Sequence, residues 1–346
     1  MKAVAYSIKP FEKEFLAKAN EKKHDITLIS NPLSTETAVY ADGKDAVIVF
    51  TNDDVSAVVI EKLAALGVKY IVTRSTGTDH IDKAAAATYG IKVANVPSYS
   101  SQAIAEHTSA LAFALNRHLV TADQHSHHFD FRNDELIGFN FSGKTIGLIG
   151  LGNTGKAVAK IFNGLGCHVI AYDPFFSGDI ADVQLTTMNQ LLASSDMISL
   201  HLPLTPQTHH LVNRQMLDQM KTGIMLINTS RGGLMRTTDI LAALKSGKIG
   251  YLGLDVYEFE KGLFFEDHED DLVKDPLLHS LLNYPNVIVT PHQAYLTKEA
   301  LQEIADKTIK NLDLWQQNKC VGKACICQED CRAASKNELL NNQHTV

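Results

Sequence analysis

No apolar run in this chain of 346 residues approaches the ~20 residues that a helix needs to cross a bilayer, which excludes a helical membrane protein. The N-terminus, MKAVAYSIKPFEKEF, turns charged before any hydrophobic core of a leader could form, and no small-residue cleavage site follows. The chain therefore reads as cytoplasmic, with no membrane partner. Positive charge is short: 32 Lys+Arg against 39 Asp+Glu give a net charge of −7, and no basic stripe stands out. Nucleic acid is excluded as a partner on that ground. Cysteine is short in the body, where Cys167 stands alone before a cluster at the C-terminus, so no disulfide framework supports the fold. What remains is ordinary globular composition, 45% hydrophobic and 21% charged, with length for two domains of roughly 150 residues each.

Short apolar runs alternate with helical patterns from the start. Val4 to Ile8, Ile26 to Ile29, Ala46 to Phe50, Tyr70 to Thr73 and Ile91 to Asn95 read as strands, with helices over Pro10 to Asn20 and Val55 to Leu66. That is a small α/β domain with a parallel sheet. A helix of about 18 residues follows from Ser100 or Ser101. The His-rich stretch after it, around His125, His127 and His128, reads as a solvated connection, and no metal is assigned to it. From KTIGLIG the alternation resumes, with strands at Val169 to Tyr172, Met197 to Leu200, Gly223 to Asn228, Gly250 to Leu254 and Val287 to Thr290. A second long amphipathic helix, LTKEALQEIADKTIKNLDLWQ, comes last. Two such helices predict one domain inserted in another: residues 1–100 plus 297–330 form a substrate domain, residues 101–296 a second domain, and 319–346 a mobile tail. The cleft between two such domains is the natural ligand site.

The stretch GLIGLGNTG, at 147–155, lies between a strand and the helix KAVAKIFNGLG. A glycine turn in that context is the dinucleotide fingerprint. Gly150 permits the tight turn, Gly152 lets a pyrophosphate approach the backbone, and Gly155 lets helix and strand pack. The helix N-terminus adds N–H groups and partial positive charge. Asp173 ends the next strand and would accept hydrogen bonds from the adenosine ribose, while repelling a 2′-phosphate. Pro174, Phe175 and Phe176 follow without an arginine, so NAD is favoured over NADP as cofactor.

Three later segments place polar groups just past apolar strands, where ligands bind in open α/β sheets. NTSRGGLMR carries Arg231, LDVYEFEKG carries Asp255 and Glu260, and VIVTPHQAYLT carries His292. A guanidinium holds a carboxylate with two parallel bonds. An imidazole passes a proton to a ketone oxygen, and a carboxylate beside it keeps it charged and oriented. Together they suit reduction of a keto acid.

The motifs RSTGTDHID, NVPSYSSQAIAEHT, GLIGLGNTG, SLHLPLT, NTSRGGL, LDVYEFEKGLFFED and TPHQAYLT, in that order, resemble the D-isomer-specific 2-hydroxyacid dehydrogenases over about residues 1–318. The LFFED and HQAYLT stretches resemble the fermentative D-lactate branch. The resemblance implies two doubly wound parallel-sheet domains, a Rossmann NAD domain inserted into a flavodoxin-like substrate domain. It implies NADH-driven reduction of pyruvate to D-lactate, with a small 2-keto or 2-hydroxy acid as partner and a homo-oligomer, dimer or tetramer. It assigns Arg231 to the substrate carboxylate, His292 to acid/base work and Glu260 as its partner. It places the Thr76 and Gly77 amides and Tyr99 on the substrate, and Phe50 and Tyr295 around its methyl group. Asn153, Thr154, Asp173, Pro203, Thr208, Thr229 and Asp255 match cofactor positions. A dehydrogenase for bulkier 2-keto acids and an NADH-sensing binding protein are the alternatives. The tail, with Cys320, Cys325, Cys327 and Cys331, matches no metal spacing and departs from the family.

Overall fold

The structure, a computed structural model, describes residues 1–271 and 275–326. Its contacts divide the described chain into two units: Met1–Tyr99 with residues 297–326, and Ser100–Leu296. The first unit opens with β1 (Lys2–Ala5), α1 (Glu12–Asn20), β2 (Asp25–Leu28), β3 (Ala46–Val49), α2 (Ala57–Ala65), β4 (Tyr70–Thr73), α3 (Lys83–Thr88) and β5 (Lys92–Ala94). All five strands are parallel, in the order β2-β1-β3-β4-β5. This is the flavodoxin-like order. A parallel sheet is covered on both faces, so its inner strands must be apolar throughout. β3 is Ala-Val-Ile-Val and every residue of it is buried. The edge strand β2, Asp-Ile-Thr-Leu, is mostly exposed. On one face Val4, Val47, Val49, Ile71 and Val93 pack with Val59, Ile60 and Leu63 of α2.

The second unit runs α4 (Ser101–Asn116), α5 (Leu119–His127), β6 (Thr145–Ile149), α6 (Asn153–Gly164), β7 (His168–Tyr172), β8 (Val183–Leu185), α7 (Met188–Ser194) and β9 (Met197–Leu200). It continues through α8 (Arg214–Asp218), β10 (Ile224–Asn228), α9 (Thr237–Lys245), β11 (Ile249–Leu254), α10 (Pro276–Leu282) and β12 (Val287–Val289). Its seven parallel strands lie in the order β12-β11-β10-β9-β6-β7-β8. The order reverses between β6 and β9, which makes the carboxyl ends of those two strands the ligand crevice.

Two sequence expectations change here. The helix expected to run past residue 116 breaks at His118, which takes φ 48°. At its end the Asn116 carboxamide donates to Phe139 O and accepts from Phe139 N, each at 2.8 Å. The histidine stretch, expected as a connection, is helical as far as His127. Along it Ser126 Oγ donates to Ala122 O at 2.9 Å, and His127 Nδ1 lies 2.9 Å from Asp123 O. α5 buries no residue.

The chain then returns as α11 (Lys298–Gln316), capped by Thr297 Oγ1 on Ala300 N at 3.2 Å. Ala305, Ile309, Leu312 and Trp315 form its apolar stripe. They cover the second face of the first sheet, over Ala3, Ala5, Ile48 and Val72. Trp315 stacks on Tyr70 with ring centroids 4.8 Å apart. The expectation of a mobile tail from residue 319 fails for its first part. Val321, Ala324 and Cys325 are buried, and Cys325 pairs antiparallel with Ala94. Small apolar side chains let this segment lie flat on the sheet. Residues 327–346, with Cys327 and Cys331, lie outside the described residues.

No helix among the described residues is long and apolar enough to cross a membrane. Trp315→Ala should lower the stability of the first unit by about 3–5 kcal/mol, the usual loss for truncating a buried tryptophan. Denaturant unfolding followed by circular dichroism checks this, and a loss under about 1 kcal/mol would refute the packing role.

Candidate active site

The glycine turn sits at the strand-order reversal, and each glycine answers to a different neighbour. Gly150 has φ +100°, and a Cβ there would lie 2.3 Å from His201 O. A Cβ on Gly155 would lie 2.1 Å from Gly150 O, so α6 could not approach the turn. A Cβ on Gly152 would meet nothing within 4 Å. Packing therefore demands glycine at two positions and not at the third, which is where a ligand would come against the backbone. Gly152 is also the N-cap of α6 and offers no side-chain cap to the first-turn N–H groups, which include Asn153 and Thr154. Asp173 closes the far side: its carboxylate accepts Leu151 N at 2.8 Å and Phe175 N at 2.9 Å. Each oxygen keeps lone-pair capacity for a ribose hydroxyl. The donor and acceptor set fits a dinucleotide.

His201, at the end of β9, was not singled out from sequence. Its Nε2 is 2.9 Å from Ser199 Oγ, while its Nδ1 is buried with no partner among the described residues. Burial pushes its pKa from 6.5 down to about 4.

The loops after β10, β11 and β12 converge within the second unit. After β10, Asn228 turns the chain: its Nδ2 donates to Arg231 O at 2.9 Å and its Oδ1 accepts Ser230 N at 3.0 Å. Arg231 Nη1 donates to Ser230 O at 2.7 Å. The next residue, Gly232, lies so close to the β11 loop that a Cβ would be 2.0 Å from Tyr257 C. That contact locks the Arg231 loop to the segment carrying Glu260. Glu260 Oε2 accepts Tyr257 N at 3.1 Å, and Oε1 lies 2.9 Å from His292 Nδ1. A carboxylate only accepts, so Nδ1 carries a proton and Nε2 is the nitrogen left for exchange with a ligand. Phe265, from the LFFED stretch, sets its ring 5.7 Å from the imidazole.

His292 itself takes φ +54°, a left-handed backbone that disfavours a side chain by roughly 1–2 kcal/mol. Asp255 holds it there. Its carboxylate is 0% exposed and accepts Thr290 Oγ1 at 2.6 Å, Gln293 N at 2.8 Å and Ala294 N at 2.8 Å. Its main-chain oxygen accepts His292 N at 2.8 Å. Asp255, expected on the cofactor, thus also organises the histidine turn. His107 of α4 joins the network, with Nε2 3.0 Å from Thr290 Oγ1. Sequence reading missed His107 and Asn228, because neither helical periodicity nor strand position marks a side chain that bonds to a distant loop, as His107 does, or turns its own, as Asn228 does.

Other expected cofactor residues serve local bonds. Thr208 Oγ1 donates to Pro203 O at 2.7 Å and accepts Thr205 N at 2.8 Å, closing the 203–208 turn. Thr229 Oγ1 is 2.9 Å from Thr108 Oγ1. Tyr295 is buried in the same unit. In the first unit, Phe50 is buried with the Arg74 guanidinium 5.4 Å from its ring centroid, and Tyr99 is half-buried. Thr76 and Gly77 reach the surface, and neither N–H donates to an acceptor among the described residues.

Residues 109–294 match the family model described as D-isomer specific 2-hydroxyacid dehydrogenase, NAD binding domain. The chain is 42% identical to D-lactate dehydrogenase of Escherichia coli over 90% of its own length and 96% of that protein's. Its structure resembles that of the pyruvate reductase of Chlamydomonas reinhardtii, with a TM-score of 0.87 at 41% identity, covering 93% of this chain and 98% of the other. It also resembles a D-2-hydroxyisocaproate dehydrogenase, with a TM-score of 0.82 at 32% identity over 94% and 99%.

His201 makes a pH prediction. Its folded pKa, about 4, lies below the ordinary 6.5, so the folded chain resists the proton that the unfolded chain accepts. Stability from this group is complete above pH 6.5 and is lost as pH falls toward 4, by about 3 kcal/mol in all. Thermal melting across that range should fall less steeply for His201→Gln than for the unaltered chain, and parallel slopes would refute the assignment.

Proposed function

The chain belongs to the D-isomer-specific 2-hydroxyacid dehydrogenases, and from that premise we propose that it is an NAD-dependent D-lactate dehydrogenase reducing pyruvate. The observation that carries the chemistry is the His292–Glu260 pair at 2.9 Å, on loops packed against the one that holds Arg231. When bound at the glycine turn, NADH supplies the hydride. The rest falls to the chain's own groups. Arg231 holds the substrate carboxylate by a two-pronged bond and draws charge from the carbonyl. In the first unit, the Thr76 and Gly77 N–H groups are the donors we assign to carboxylate recognition. His292 Nε2 delivers the proton to the ketone oxygen, and Glu260 keeps the ring oriented through its bond to Nδ1.

The likeness to a D-2-hydroxyisocaproate dehydrogenase supports a second reading, a preference for bulkier 2-keto acids. Initial rates of NADH oxidation with pyruvate, 2-oxoisocaproate and phenylpyruvate decide between the two. The proposal expects pyruvate to give the highest kcat/KM and D-lactate as product. A higher value for either larger acid would move the assignment to the second reading.

A homodimer through residues 119–137 is part of the proposal. Phe129, Phe131 and Ile137 are 86%, 73% and 79% exposed, and Leu119 and Val120, at the start of α5, are exposed as well. Five large apolar groups facing water within one short stretch mark an association surface. A cytoplasmic location fits Cys167, a buried thiol that donates to Phe141 O at 3.2 Å.

Arg231→Gln should cut kcat/KM for pyruvate by about 10²- to 10³-fold, with NADH affinity unchanged. Glu260→Gln weakens the bond to Nδ1 that orients the imidazole, so kcat for pyruvate reduction should fall about tenfold or more with NADH affinity unchanged. Steady-state rates and NADH binding by fluorescence check this, and an unchanged kcat would rule out the role given to Glu260.

A further inference from the structure

The four-cysteine tail is the motif that the dehydrogenase reading leaves unused, and its first part is built into the first unit. β5 is the outermost strand of that sheet, and an edge strand leaves a row of N–H and C=O groups without partners. The chain beyond α11 closes that row. Asn95 N donates to Ala324 O at 3.0 Å, and Ile326 N donates to Val93 O at 3.1 Å. Between them Ala94 pairs antiparallel with Cys325. Val321, Ala324 and Cys325 anchor the segment in the core beside Trp315.

The residue held by this segment is itself a tether. Asn95 is only 8% exposed, and its Nδ2 donates to Thr76 O at 2.8 Å. Its main-chain oxygen accepts Asn311 Nδ2 of α11 at 3.1 Å. Next to it, Val96 N donates to Ser75 O at 3.0 Å, and Val96 O accepts Thr76 Oγ1 at 3.0 Å. Three bonds therefore tie the Ser75–Thr76 turn to Asn95 and Val96. That turn leads into the Thr76 and Gly77 N–H groups, which have no acceptor among the described residues.

We propose that residues 320–326 are a positioning strap: by extending the sheet past β5 they fix Asn95, and through Asn95 they set the Thr76 and Gly77 N–H groups to receive a substrate carboxylate. The proposal rests on the reading of those two amides as carboxylate donors. A segment that only sealed the core would change stability and leave substrate affinity alone. A strap raises the KM of the 2-keto acid and leaves NADH affinity and kcat nearly unchanged, because its effect is on uniform binding of the carboxylate.

The test compares the full chain with a chain ending at Gln328, a chain ending at Lys319, Ile326→Pro and Asn95→Ala. Proline at 326 removes the N–H that donates to Val93 O, and alanine at 95 removes the donor to Thr76 O. Pyruvate KM, kcat, NADH binding by fluorescence, and binding of the pyruvate analogue oxamate to the NADH complex are measured on each. The Gln328 chain should match the full chain. The Lys319 chain and Ile326→Pro should raise KM and the oxamate Kd about tenfold, and Asn95→Ala about three- to tenfold, as expected for losing one or two hydrogen bonds to the cradle. Unchanged values in Ile326→Pro and Asn95→Ala overturn the proposal, whether or not the Lys319 chain folds. An equal rise in the Gln328 chain overturns it as well. A full chain that turns over no 2-keto acid defeats the functional reading instead, and the oxamate series still decides the strap.

Discussion

A carboxylate sealed from water holds the chemistry of the second unit in place. An ionised group in that position is tolerated only when donors surround it, and Asp255 has a hydroxyl and two main-chain N–H groups in its first coordination of bonds. All three come from the short segment after β12. The consequence is geometric: the segment cannot relax, His292 is kept in a left-handed backbone, and its ring faces Glu260 rather than solvent. Thr290 extends the same clamp to His107, so the helix that opens the unit is tied to the loop that closes it. A rigid frame of this kind suits an acid/base residue, whose proton transfer is sensitive to small displacements.

Close backbone approach does the remaining positioning. Gly232 against Tyr257 and Gly155 against Gly150 are contacts that no side chain could survive. The first joins the loops after two neighbouring strands, β10 and β11, and the second seats α6 on its own turn, neither spending a polar side chain on the task.

Much of this was legible in the sequence, and the misses have physical causes. The inner strands announced themselves because a sheet covered on both faces needs unbroken apolar runs, as in Ala46–Val49 and Met197–Leu200. β8, Val-Gln-Leu at the sheet edge and mostly exposed, carries no such run and went unseen. Arg231, Glu260 and His292 stood out because each is a polar group just past a buried strand. The Asp255 clamp did not, since a carboxylate after a strand looks the same whether it faces a ligand or its own chain. His107, Asn228 and the Asn95–Thr76 tie were hidden for a common reason: each depends on a partner far away in sequence or on a loop conformation that residue type alone does not dictate. The segment 320–326 read as loose because Gly322, Lys323 and the clustered cysteines mask the small apolar residues that dock.

The division of the first unit has a consequence for how the protein is made. Its sheet comes from the first 99 residues, yet α11 and residues 320–326, which cover one of its faces, come from the chain after residue 296. Roughly 200 residues separate the two parts, and at ordinary rates of synthesis they take about 10–40 s to emerge. During that interval the nascent first unit presents Ala3, Ala5, Ile48 and Val72 without their cover, while the contiguous second unit has every strand it needs. Vectorial folding therefore completes the later unit before the earlier one. The ribosome-bound intermediate is a finished dinucleotide domain preceded by a half-clad sheet, which makes that sheet the part of the protein most in need of protection at birth.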